Sequence, residues 1–115
     1  MNVVDQGLQA DPRLREAARR LAALPEVETI ILFGSRARGD HTPDSDFDLC
    51  VLVADTVAAG VFTPVTLWRE VSDLGIPIQI VPLRRSAFEA AKRDPNSISH
   101  EIEQYGRVLR LDRRQ

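Results

Sequence analysis

The chain has 115 residues, enough for one domain with a single hydrophobic core. Its composition, 43% hydrophobic and 28% charged, is that of a folded globular protein and excludes a disordered tail. A net charge of -2 provides no general attraction for nucleic acid. We therefore expect no direct nucleic-acid binding, and any anion site must be local.

The sequence also bears on location. Cys50 is the only cysteine, which excludes an internal disulfide and is typical of a reducing compartment. Residues 1–16 contain no apolar region of a signal peptide. The longest apolar stretch, residues 49–62, contains Asp55 and is too short to span a bilayer. We expect a cytoplasmic protein that has no membrane contact.

The first half of the chain predicts one helix and two strands. Asp11 is a suitable N-cap and Pro12 a suitable first helical residue. Apolar residues then recur at helical spacing until Pro25 ends the helix. A run rich in β-branched residues predicts a strand over 27–33. A second apolar run predicts a strand over 46–54 that is buried on both faces beyond Asp48.

The next segment predicts a helix and a third strand. Thr63 and Pro64 begin the helix, which carries one apolar face and ends at Gly75. Residues 77–83 form the strand.

Two further helices follow in the sequence. Ser86 and Glu89 form a capping box for a helix that runs to about Arg93. Asp94 and Pro95 begin the last helix.

The C-terminal part predicts how this last helix ends. Gly106 stops it, and residues 107–111 add a short edge strand. Trp68 and Tyr105 lie on apolar helix faces, so we expect both side chains in the core.

Connection lengths predict the topology. Twelve residues join the first two strands, which is marginal for a parallel crossover and favours antiparallel pairing. A full helix separates the second and third strands, which suits a parallel crossover. The predicted fold is α/β: a small mixed sheet of three to four strands flanked by helices. It forms one domain over residues 1–115, with a core of about 11–111.

Two acidic residues stand where core residues are expected. Asp46 and Asp48 lie two apart on the second strand, so their side chains project from the same face. Two ionised carboxylates this close repel unless a cation lies between them or one binds a proton. Mg²⁺ suits this position because it prefers carboxylate oxygens and leaves sites for water and phosphate. The structural alternative is a solvated entrance to a strand.

A small and basic turn lies at the same edge of the sheet and favours the metal site. Gly34 permits close approach of a ligand to the backbone. Ser35 and the following amides begin a short helix whose N-terminus can hold phosphate. Arg36 and Arg38 add positive charge, although exposed arginines on a short helix are also common. A phosphate site beside a metal site suits metal-assisted transfer from a nucleoside triphosphate.

The spacing of these residues resembles a known family. Gly34-Ser35, ten residues and then Asp46-x-Asp48 resemble the G-S-x10-D-x-D signature of the polymerase-β-type nucleotidyltransferases. The segments "GSRARG" and "SDFDL" are similar to the minimal nucleotidyltransferases (MNT) of that family. The similarity continues through "GIPIQIVPL" and "GRVL", and so covers most of residues 11–111.

The resemblance implies a mechanism and a partner. In such proteins Gly-Ser holds the triphosphate and the aspartates bind two Mg²⁺ ions. The acceptor hydroxyl displaces pyrophosphate from ATP or another nucleoside triphosphate. Many are encoded with a HEPN-domain ribonuclease toxin, which some silence by attaching AMP to a toxin tyrosine.

The chain departs from the family pattern at Gln79, where the family has a third carboxylate on the third strand. A glutamine carbonyl can contact a metal, but it has no negative charge and cannot accept a proton as a base. Gln79 therefore has two interpretations, a residue of the catalytic site or a hydrogen-bonded amide of the core.

Three functions follow from these features. The first is an Mg²⁺-dependent nucleotidyltransferase, an antitoxin that transfers AMP from ATP to a HEPN-type toxin. The alternative is a degenerate domain that neutralises its partner by binding alone, which Gln79 supports. Transfer to a small molecule such as an aminoglycoside is a third option, although 115 residues leave little room for a second substrate domain unless a partner completes the site.

Overall fold

The structure, a computed structural model, describes residues 11–111. Its elements, in chain order, are α1 (Pro12–Ala22), β1 (Val27–Phe33), α2 (Ser35–Arg38), β2 (Phe47–Val53), α3 (Pro64–Arg69), a 3-10 turn (Ser72–Leu74), β3 (Ile78–Arg84), α4 (Arg85–Ala91), α5 (Ile98–Tyr105) and β4 (Arg107–Leu111).

The strands of the described residues form one mixed sheet in the order β3-β2-β1-β4. β1 pairs antiparallel with both β2 and β4, and β2 pairs parallel with β3. The predicted α/β fold with a small mixed sheet is confirmed, including both strand pairings inferred from connection lengths. The predicted strands 46–54 and 77–83 each differ from β2 and β3 by one residue at each end.

Helices cover both faces of the sheet, and side chains alternate along each strand between the two layers. The layer with α1 and α3 buries Leu14, Leu21, Ile30, Leu32, Leu49, Val51 and Leu67. The layer with α4 and α5 buries Ile31, Phe33, Cys50, Leu52, Phe88 and Ile102. Because Asp48 alternates with Leu49 and aligns with Cys50, its carboxylate projects on the α4 and α5 side.

The N-terminal helix forms as predicted. The side chain of Asp11 accepts hydrogen bonds from the backbone N–H groups of Arg13 (2.9 Å) and Leu14 (3.4 Å), which caps α1. Pro12 occupies the first turn, where it costs no hydrogen bond.

The predicted single helix from Thr63 to Gly75 is wrong in its second half. Thr63 does cap α3, but the α-helix ends at Arg69 and a 3-10 turn follows. Val71 leaves the helical region (φ -126°, ψ 0°) and is buried in the core. Leu67 and Val71, four residues apart, are both buried, so the apolar face predicted from the sequence is retained although the α-helix is interrupted before Val71.

The predicted capping box of the next helix is also wrong. The backbone N–H of Ser86 donates to the side chain of Asp55 at 2.9 Å, and α4 has no side-chain cap. Glu89 instead forms an ion pair with Lys92 at 2.6 Å. The helix ends at Ala91, two residues before the predicted end.

The last helix begins later than predicted. Asp94 accepts from the N–H of Asn96 in a turn, and Ser97 caps α5 by accepting from the N–H of His100. Gly106 ends the helix as predicted.

The expected burial of two aromatic residues is wrong. Trp68 is 48% exposed and Tyr105 is 49% exposed. In both short helices other apolar positions, Leu67 and Ile102, fill the core.

Within the described part of the chain, no helix combines the length and the apolar character needed to cross a membrane.

Candidate functional site

The site begins where β1 ends. Phe33, the last residue of β1, pairs with Asp48 of β2, which places Gly34 directly beside that carboxylate. Gly34 has a φ of +74°, in the region that favours glycine. A Cβ added at this position would overlap Oδ2 of Asp48. Gly34 is therefore required both by its backbone conformation and by the close approach of Asp48.

We expect Gly34→Ala to destabilise the fold and displace Asp48. The substitution combines an unfavourable φ, which costs about 1–3 kcal/mol, with the steric overlap. Gly39→Ala is the matched control, because Gly39 also has a positive φ (+89°) but an added Cβ there would have no other atom within 4 Å. Thermal melting should show a larger loss for Gly34→Ala. Equal losses would mean that the contact with Asp48 contributes nothing.

The second part of the site joins β2 to β3. Asp48 and Gln79 are paired across the parallel strands, and Nε2 of Gln79 donates to Oδ2 of Asp46 at 2.8 Å. Because an ionised carboxylate only accepts hydrogen bonds, the amide nitrogen is the end of Gln79 that faces Asp46. Gln79 is exposed, so its interpretation as a core amide is wrong. All three side chains lie on one face.

The electrostatics of this face favour a bound cation. Partial burial raises the pKa of Asp48 above its ordinary value, and the negative charges of Asp46 and Glu101 raise it further, while Arg38 opposes them. A cation between Asp46 and Asp48 would relieve this repulsion.

The oxygen atoms at this edge fit Mg²⁺. Among the described residues, His, Cys, Asp and Glu side chains form no group of three or more that could hold a metal. At this position the described residues offer two carboxylates, those of Asp46 and Asp48, while Gln79 turns its amide nitrogen towards Asp46. Mg²⁺ is commonly held by one or two carboxylates together with substrate phosphates, so this donor set suits the ion when a nucleotide is present.

The turn after β1 carries the residues predicted to bind nucleotide. Ser35 lies beside Gly34 as the first residue of α2, and its carbonyl accepts from the N–H of Gly39 at 2.9 Å.

Arg36 supports the loop before β2. Its guanidinium donates to the carbonyls of Ser45 (3.0 Å and 3.3 Å) and Pro43 (3.3 Å). It also lies 4.3 Å from the ring centroid of Phe47. These contacts fix the loop that carries Asp46 and give Arg36 a role in positioning.

Arg38 points towards α5. It forms ion pairs with Glu101 at 2.9 Å and with Asp40 at 3.3 Å. Glu101 was not predicted from the sequence, because no local pattern links it to a turn 63 residues away. Its negative charge acts on Asp48 and also pairs with Arg38.

A groove borders the site on the outer side of β3. Its volume is about 340 Å³, and its lining consists of Pro64, Val65, Trp68, Ile78, Gln79 and Ile80. This surface is not predicted from the sequence, because the apolar helix pattern places Trp68 in the core, whereas its side chain is exposed. The exposed tryptophan and the polar Gln79 make the groove an accessible extension of the site.

This fold, with Asp46 just before β2 and Asp48 on β2 near a Gly-Ser turn after β1, is that of a nucleotidyltransferase. The family described as "Polymerase beta, Nucleotidyltransferase" matches residues 16–112. The chain belongs to the polymerase β nucleotidyltransferase family, as the sequence resemblance predicted. Members of this family generally use divalent metals. Among curated proteins, none matches the sequence significantly.

Solved structures share the fold. A chain of a toxin–antitoxin complex with AMP-PNP has a TM-score of 0.59 and 24% identity, covering 86% of this chain and 74% of that one. A candidate nucleotidyltransferase from Sulfolobus solfataricus has a TM-score of 0.57 and 17% identity, covering 99% and 95%. A complex of tri-AMPylated HEPN toxin from Shewanella oneidensis with MNT antitoxin has a TM-score of 0.52 and 22% identity, covering 94% and 74%.

Proposed function

We propose that this chain is an Mg²⁺-dependent nucleotidyltransferase, an antitoxin that transfers AMP from ATP to a HEPN-type protein partner in the cytoplasm. The observation that carries the proposal is that Gly34, Asp46, Asp48 and Gln79 lie together where β1 ends and where β2 and β3 begin. The family of the chain supports nucleotidyl transfer in general.

The roles of the residues follow from their positions. Asp46 and Asp48 hold the metal, which when bound offsets the charge of the phosphates. Gly34 and Ser35 give the triphosphate close access to the backbone, and Gln79 orients Asp46 through its hydrogen bond. The acceptor hydroxyl oxygen bonds to the α-phosphorus, and the bond from this phosphorus to the oxygen that bridges to the β-phosphate breaks. Pyrophosphate leaves with that electron pair, and the hydroxyl proton passes to solvent.

Two solved neighbours support the choice of nucleotide and partner. One is a toxin–antitoxin complex with AMP-PNP, an analogue of ATP. The other contains an AMPylated HEPN toxin together with MNT antitoxin. We extend both features to this chain as part of the proposal.

Gln79 keeps a second function open. With two carboxylates instead of three, the site has one less negative charge with which to hold metal ions, and Gln79 cannot act as a base. A domain that neutralises its partner by binding alone would also form the complex but would transfer no AMP.

The test uses ATP labelled at the α-phosphate, Mg²⁺, the chain, and the HEPN-type protein encoded beside it. We expect the two proteins to elute together in size exclusion and the label to appear on the partner. Co-elution without label would support the binding function. Separate elution at micromolar concentrations, with no label, would contradict the antitoxin role.

A further inference from the structure

Within residues 11–111, β3 is an end strand of the sheet, and no described strand pairs with its outer edge. The N–H of Phe47 in β2 donates to the carbonyl of Pro77 at 2.8 Å. Backbone groups alternate in direction along a strand, so those of Gln79 also face β2, while those of Ile78 and Ile80 point away from it. Pro82, which has no N–H, occupies the next outward position, where a proline is tolerated. The open edge is therefore the short segment Ile78–Ile80.

The apolar groove lies along this same segment. Trp68 and Val65 of α3 are 48% and 56% exposed, although both are large apolar side chains. None of the residues that line the groove carries a charge. Its chemistry suits a neutral, apolar side chain and does not suit a polycationic small molecule such as an aminoglycoside.

The geometry of nucleotidyl transfer also places the acceptor on the side of β3. Nucleotidyl transfer is an in-line displacement, with the attacking oxygen opposite the leaving group. If pyrophosphate leaves towards Gly34 and Ser35, at the end of β1, the acceptor must approach from the opposite side of Asp48. Because β2 lies between β1 and β3, that side is β3.

We propose that the acceptor is an extended protein segment that pairs with β3 over Ile78–Ile80. Side chains alternate along an extended segment. The residue that carries the acceptor hydroxyl faces Asp46, Asp48 and Gln79, and its two neighbours face the opposite side, where one of them packs in the groove against Trp68. The preferred acceptor sequence is thus a hydroxyl residue between two apolar residues, and Trp68 determines this specificity. The inference rests on the proposed function and adds the class of acceptor.

The test compares two peptides, Ser-Leu-Tyr-Leu-Ser and Ser-Ser-Tyr-Ser-Ser, each blocked at both ends. We expect AMP transfer to the leucine peptide to have a kcat/KM at least about tenfold higher, because burial of a leucine side chain favours binding. Methylation of the peptide nitrogen that faces β3, on a leucine in an antiparallel pairing and on the tyrosine in a parallel pairing, removes a hydrogen-bond donor and should reduce transfer. A Trp68→Ala variant should reduce the preference to about twofold or less with an unchanged KM for ATP.

Tyr105→Ala is the matched control, because Tyr105 is an equally exposed aromatic residue outside the groove. It should retain the preference for the leucine peptide. A raised KM for ATP in Trp68→Ala, with the peptide preference retained, would overturn the proposal and indicate a nucleobase site instead.

Fluorescence separates this inference from the proposed function. Trp68 is the only tryptophan in the chain, so its emission reports on the groove alone. If neither peptide accepts AMP, a shift caused by the leucine peptide, and by neither the serine peptide nor AMP-PNP with Mg²⁺, would still support the groove while the transferase assignment fails. Transfer to both peptides at equal rates, or no shift with the leucine peptide, would overturn the inference.

Discussion

Replacement of Asp48 with asparagine should lower nucleotidyl transfer by at least about 100-fold, the scale expected when one charge-stabilising group is lost from an active site. The carboxylate lies beside Gly34 and on the same face as Asp46, so its loss removes half of the negative charge available to the metal. Asp46→Asn should have a similar effect, and calorimetry should show that ATP binding depends on Mg²⁺ and weakens in both variants.

The control is Asp44→Asn, an exposed aspartate of the same loop, which should keep its activity. ATP binding that is identical with and without Mg²⁺ would contradict a site in which the Gly34-Ser35 turn and a metal on Asp46 and Asp48 hold the nucleotide together.

In the Asp48→Asn variant, stability should change in the opposite direction to activity. The raised pKa of Asp48 means that its folded carboxyl group binds a proton more readily than an ordinary aspartate, whose pKa is 3.8. Its contribution to stability is therefore present below pH 3.8 and is lost as the pH rises through the raised value. At neutral pH, without metal, Asp48→Asn should melt at or above the temperature of the wild type. Mg²⁺ should raise the melting temperature of the wild type more than that of the variant.

Replacement of Gln79 with aspartate should raise the rate of transfer by at least about tenfold. The substitution restores a carboxylate beside Asp46 and Asp48, and general base catalysis alone is worth about 10²–10⁴-fold. Binding of ATP should change little, since Gly34 and Ser35 are untouched. Because Gln79 is exposed, the new charge stays in contact with water and should cost little stability in the presence of Mg²⁺.

Gln79→Asn is the matched control, because asparagine has the length of aspartate without its charge. It should lose the hydrogen bond to Asp46 and transfer no faster than the wild type. The contrary result is that Gln79→Asp and Gln79→Asn transfer AMP at the same low rate while the complex with the partner still forms. That result would mean that Gln79 acts only through its hydrogen bond and that the domain works by binding.

Local sequence patterns were sufficient for much of the fold. The strand 27–33 and the Asp11 cap are confirmed because β-branched residues and capping depend on neighbouring residues alone. The errors occurred where a distant contact overrides a local preference. Ser86 bonds to Asp55, which lies 31 residues earlier, instead of capping its own helix.

The sequence by itself determined the family, through a Gly-Ser turn and two aspartates at the spacing typical of its members. The tertiary structure alone decided how the site is completed. Gln79 is an exposed hydrogen-bond partner of Asp46 rather than a core amide, Arg36 supports the loop, and Glu101 adds charge near Asp48. The physical reason is distance along the chain: Gln79 meets Asp46 across 33 residues and Arg38 meets Glu101 across 63. Such contacts arise only when the sheet and α5 pack together, so no local pattern encodes them.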